Sequence, residues 1–101
     1  MIATLRYGIG QEVVVPLSPE FLSRLSGTSV RTGLETMLDG LTDEADPTAE
    51  AIRKAAGDPR SVIEMKTKTQ CQPLRPDAPL QPLLKGRKHL EILISQAHAG
   101  G

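Results

Sequence analysis

Residues 2–7 and 11–17 are short runs rich in β-formers, separated by Gly8-Ile9-Gly10. Glycine takes positive φ without steric cost, so this spacing predicts a hairpin turn between two strands. In the second run Val13, Val15 and Leu17 share one strand face, and Pro16, which has no N–H, places the strand at a sheet edge or ends it. Ser18-Pro19-Glu20 then reads as a helix start: a capping hydroxyl, proline in the first turn and an acid favoured by the helix dipole. Phe21, Leu22 and Leu25 supply an apolar side, and Gly27 stops the helix.

The clearest helical period follows. Leu34, Met37, Leu38 and Leu41 recur at i, i+3, i+4 and i+7, with Glu35 and Asp39 on the opposite side. A third helix is expected from Asp46 as cap, through Pro47, Ala49 and Ile52, to Gly57; its apolar stripe is thin, so it reads as a surface insert. Residues 61–69 form a third strand with a solvated Lys66-Thr67-Lys68-Thr69 end. Prolines at 73, 76, 79 and 82 make the next stretch an extended loop. After Lys85-Gly86-Arg87, Leu90, Ile92 and Ile94 alternate with Glu91, Leu93 and Ser95 in a last strand buried mainly on one side. From Ala97 onward the side chains shrink, and a mobile tail is expected over residues 97–101.

A chain of 101 residues suits one domain, here residues 1–96 plus the tail. Aromatics are confined to Tyr7 and Phe21, so the core must be aliphatic. Formal net charge is zero, which supplies no general footprint for a phosphate backbone; Lys85, Arg87 and Lys88 are a small local exception. Cys71 is the sole cysteine, so no internal disulfide is possible. Neither a signal-peptide pattern nor a membrane-length apolar run is present, and the expected setting is a cytoplasmic monomer with no membrane partner.

The order strand, strand, helical region, strand, loop, strand, ending in Leu90-Glu91-Ile92-Leu93-Ile94-Ser95-Gln96-Ala97-His98-Ala99-Gly100-Gly101, resembles the ubiquitin-like β-grasp family. It is most similar to bacterial sulfur carriers of thiamine and molybdopterin synthesis. The resemblance implies an α+β fold: a mixed four-stranded sheet packed by a helix, with an extra helical insert and a flexible tail. It further implies a carrier, not an enzyme, which binds no cofactor. A partner adenylating enzyme would use ATP to activate the carboxylate of Gly101, and a sulfur acceptor or target protein would follow. Gly100 and Gly101 would thread a narrow channel because they lack a Cβ. Ala99, His98 and Ala97 form the neck read by that partner. Leu93 and Glu91 on the last strand, with Lys85, Arg87 and Lys88 in the turn close by, would be the docking surface, unless Leu93 is buried under the helical insert.

No phosphate-binding glycine loop or metal-ligand spacing occurs, and a Cys71–histidine nucleophile pair has only the presence of those residue types behind it. Two other readings stand beside the carrier. Glu12 to Glu20 followed by helices resembles the opening of a ribbon-helix-helix DNA-binding antitoxin or repressor, although Glu12 and apolar residues stand where base readers are expected. An adaptor that binds a protein and makes no use of its tail is the third.

Overall fold

The computed structural model describes residues 1–8, 10–40 and 47–96. The expectations for Leu41, Asp46 and residues 97–101 lie outside the described residues. The elements run β1 (Ile2–Tyr7), β2 (Gln11–Pro16), α1 (Pro19–Leu25), α2 (Val30–Asp39), α3 (Pro47–Gly57), β3 (Ser61–Lys66), β4 (Cys71–Leu74), α4 (Gln81–Leu84) and β5 (His89–Gln96). The strands form one mixed sheet in the order β2-β1-β5-β3-β4. β1 and β5 are parallel at its centre, and the other neighbours are antiparallel. This α+β arrangement is compatible with a β-grasp-like fold, with five strands where four were expected.

Local signals behave as their chemistry requires. Gly8 and Gly10 take φ of 60° and 82° in the β1–β2 turn. The Ser18 hydroxyl accepts a hydrogen bond from the Phe21 N–H at 3.1 Å, capping α1, and Pro19 occupies the first turn, where an N–H would be unpaired anyway. On the sheet, Ala3, Leu5, Val13, Val15, Ile63, Met65, Leu90, Ile92 and Ile94 are buried and share one face by alternation. They form a single core with Leu25, Leu34, Met37 and Leu38 of the first two helices.

Three expectations change. First, α3 is not a surface insert: it lies against β1, β2, β3 and β5, and Ala49, Ile52, Ala55 and Ala56 are buried. Three alanines bring the helix axis close to the sheet, so a thin stripe on paper becomes a tight seam in the fold. α2 packs against α3.

Second, the proline-rich stretch is not simply an extended loop. It contains β4 at the sheet edge, a buried Leu80 and the short α4. It also supplies what the start of α2 lacks. The N–H groups of Val30 and Arg31 donate to the carbonyls of Ala78 and Pro76 at 2.8 and 2.9 Å. Those of Thr32 and Gly33 go to the hydroxyl and carbonyl of Ser29. The Gly33 bond is the first of the ordinary intrahelical ladder, so the N–H groups of Val30, Arg31 and Thr32, three of the orphan donors of a helix N-terminus, find partners outside that ladder.

Third, the ribbon architecture of a DNA-binding ribbon-helix-helix protein is not formed. Gln11–Pro16 belongs instead to a five-stranded sheet within the chain, paired with β1.

Candidate functional site

The helices occupy one side of the sheet. The other side is built from the opposite alternation: Ile2, Thr4 and Arg6 on β1, Glu12, Val14 and Pro16 on β2, His89, Glu91, Leu93 and Ser95 on β5, and Val62, Glu64 and Lys66 on β3. The register sets these in rows across the strands. One row runs Val14, Thr4, Glu91, Lys66, and the next runs Glu12, Arg6, Leu93, Glu64. Among the described residues, Ile2, Val14 and Val62 are the large apolar side chains left most exposed, at 46, 54 and 40 %.

Polar groups on this face organise one another. Arg6 Nε lies 3.0 Å from Glu12 Oε1 and 3.2 Å from Glu91 Oε1, so one guanidinium ties the outer strand to the central one. Thr4 is buried even here, and its hydroxyl is 2.8 Å from His89 Nε2. Leu93 is half-buried, with Arg6 and Glu64 as its register neighbours. It therefore lies on the face opposite the helices, not beneath them.

The residues named from the sequence fall along β5 and beyond both of its ends. Gln96, opposite Ser61, leads towards Ala97, His98, Ala99, Gly100 and Gly101, which lie outside the described residues. Lys85, Arg87 and Lys88 precede His89 at the other end. Eight extended residues span roughly 25 Å at about 3.3 Å each, so the turn lies a strand length from Gln96. Of the expected docking residues, Leu93 lies toward the Gln96 end, and Glu91 lies between the two ends.

No protein-family model, curated protein or solved structure matches this chain.

What the fold brings together instead is a cleft of about 700 Å³ lined by Lys66, Thr67, Lys68, Thr69, Arg87, His89 and Glu91. The end of β3 supplies Lys66, the β3–β4 turn supplies Thr67, Lys68 and Thr69, and the approach to β5 and its start supply the rest. None of Lys66, Lys68 and Arg87 forms an ion pair among the described residues, and Glu91 is already held by Arg6. The alternating Lys66-Thr67-Lys68-Thr69 was legible as an exposed strand end, but its meeting with Arg87 was not.

A second concavity, of about 540 Å³, lies between α2 and α3 and is lined by Glu35, Asp39, Glu50, Arg53, Lys54, Gly57 and Asp58. Its charges are largely spoken for: Arg53 Nε is 3.3 Å from Asp39 Oδ1, and Lys54 Nζ is 3.9 Å from Glu50 Oε1. Among the described residues no group of three or more His, Cys, Asp or Glu is placed to hold a metal ion, and no helix is long and apolar enough to cross a membrane. Cys71 is exposed on the outermost strand opposite Lys66.

Proposed function

We propose that this chain is a ubiquitin-like carrier or modifier that is acted on at Gly101 by a partner adenylating enzyme. The supporting observation is the placement of the last strand. β5 is central, hydrogen-bonded to parallel β1 on one side and antiparallel β3 on the other, and Ala97-His98-Ala99-Gly100-Gly101 follows it directly in the sequence. A central strand is the most firmly held element of a sheet, so it is a rigid base from which a slender segment can be offered to another protein.

The chemistry requires Gly101 to carry a free carboxylate. That carboxylate attacks the α-phosphorus of ATP and releases pyrophosphate, forming an acyl adenylate. A thiol sulfur that attacks the carbonyl expels AMP and leaves a thioester; a persulfide sulfur expels AMP and leaves an acyl disulfide, whose S–S bond a second thiol then attacks, forming a disulfide with the donor and releasing the thiocarboxylate. Gly100 and Gly101 present no Cβ to a narrow channel, and Ala97 and Ala99 keep the approach slim. ATP is a substrate of the partner, so the carrier itself needs no nucleotide site.

Intact-mass analysis of the endogenous protein, before and after incubation of cell extract with ATP, tests this reading. The expected result is a chain ending at Gly101 that gains one sulfur-for-oxygen exchange or becomes attached to larger proteins. Deletion of Gly100 and Gly101 should abolish either change. An unaltered mass in extract, together with a silent deletion, would reject the carrier.

A further inference from the structure

The open sheet face is chemically divided at the end where β5 begins. On its β2–β1 side, Pro16 pairs in register with Ile2, and Val14 neighbours both; all three are exposed and apolar. On its β3 side lies the cleft, where, among the described residues, three cations without an ion pair face the single carboxylate of Glu91. In a chain whose formal charge sums to zero, this is a local positive excess beside a local apolar strip.

We propose that this end of the face, formed by Pro16, Ile2 and Val14 with Lys66, Lys68 and Arg87, docks a segment of a partner protein carrying apolar residues followed by carboxylates. Charge complementarity selects the acidic half, and the exposed aliphatics select the apolar half. From β2 to β3 is three strand spacings, about 14 Å, which four or five extended residues cross. The segment lies over the face instead of extending the sheet. On the β2 edge only Glu12 and Val14 direct backbone groups outward with an N–H, because Pro16 has none. A nucleic acid fits less well: Tyr7 lies at the far end of β1 and Phe21 on α1, so neither adjoins the cations, and the His89 ring beside them is engaged by the Thr4 hydroxyl. The inference stands independently of any chemistry at Gly101.

The test titrates isotopically labelled full chain with a synthetic peptide in which a run of Leu is followed by a run of Glu. Its Leu-Gln and Leu-Lys counterparts and a single-stranded DNA oligonucleotide serve as further probes. Amide shifts should concentrate at Ile2, Val14, Lys66–Thr69 and His89–Glu91 with the Leu-Glu peptide and fade as salt is raised. The double substitution K68E/R87E, on exposed turn residues, should weaken that peptide at least about tenfold and create binding for the Leu-Lys peptide. V14D should weaken the Leu-Glu peptide without reversing charge preference. Equal binding of the Leu-Gln peptide, shifts elsewhere on the molecule, tighter binding of the oligonucleotide at the same residues, or indifference to K68E/R87E would each overturn the proposal.

Discussion

The Cδ2 methyl of Leu80 occupies the space in which a side chain on Gly33 would begin. Gly33 lies inside α2, where glycine ordinarily weakens a helix, and Leu80 is fully buried at the end of the proline-rich stretch. The contact is what lets that stretch lie flat on α2 and hand its carbonyls to Val30 and Arg31. Helix propensity has been traded for tertiary packing at this position.

Gly33→Ala should therefore lower stability by about 1 kcal/mol net. Overpacking costs about 1–3 kcal/mol, and the helix-propensity gain of about 1 kcal/mol offsets part of it. Urea unfolding checks the sign. A double-mutant cycle with Leu80→Ala should show coupling, since Leu80→Ala removes the obstructing methyl. A stabilised Gly33→Ala protein would mean that the two residues are not in contact.

Ile52→Ala should cost about 2–5 kcal/mol, the range for truncating a buried aliphatic side chain. Ile52 is fully buried in α3, facing the sheet. A surface helix would lose no more than about 0.5 kcal/mol from the same change. Urea denaturation separates the two cases cleanly.

Pro73 should be dispensable for folding but not for solubility. Thr67 N–H donates to the Gln70 carbonyl at 2.8 Å, and hydrogen-bonded pairs alternate along an antiparallel ladder. Pro73, opposite Glu64, thus falls where the backbone points away from β3, and the sheet loses no bond to it. Pro16 on β2 has the same relation to β1, set by the 2.7 Å bond from Leu17 N–H to the Met1 carbonyl. Both outer edges are in this way closed to further strands. Pro73→Val should leave unfolding free energy within about 0.5 kcal/mol while increasing self-association in sedimentation experiments. A large loss of stability would place the proline's nitrogen on the β3 side.

Asp58 should titrate below the ordinary aspartate value of 3.8. The Arg60 backbone N–H donates to Asp58 Oδ1 at 2.9 Å, and the Arg60 guanidinium lies 3.5 Å from the same oxygen. Both favour the ionised form, the backbone bond more strongly. The stabilisation is complete above the unfolded aspartate pKa and disappears as acid carries the pH down through the lower folded value. Carboxyl carbon NMR across the acid range measures this directly, and Arg60→Ala should bring the titration partway back. A carboxyl that titrates at or above 3.8 would show that the turn does not hold the anion.

Much of this fold was readable in one dimension where the relevant physics is short-range. Ser18 before Pro19 caps a helix through an atom three residues away, and Gly8 and Gly10 turn a hairpin through their own φ angles. Leu34, Met37 and Leu38 find the core because their spacing puts them on one stripe. The candidate site was harder to read. The sequence left Leu93 open between an exposed face and burial under the helical insert; the structure puts it with Glu91 on the face opposite the helices, and the length of β5 lies between Lys88 and Gln96.

By itself, then, the sequence determined the turns, caps and alternating strand faces, because each depends on atoms within a few residues. Only the tertiary structure decided that the alanine-faced α3 covers the sheet, that Cys71–Leu74 becomes a fifth strand, and that Lys66 and Lys68 meet Arg87. Those outcomes depend on which distant surfaces fit together when apolar area leaves water, and no local spacing encodes that choice.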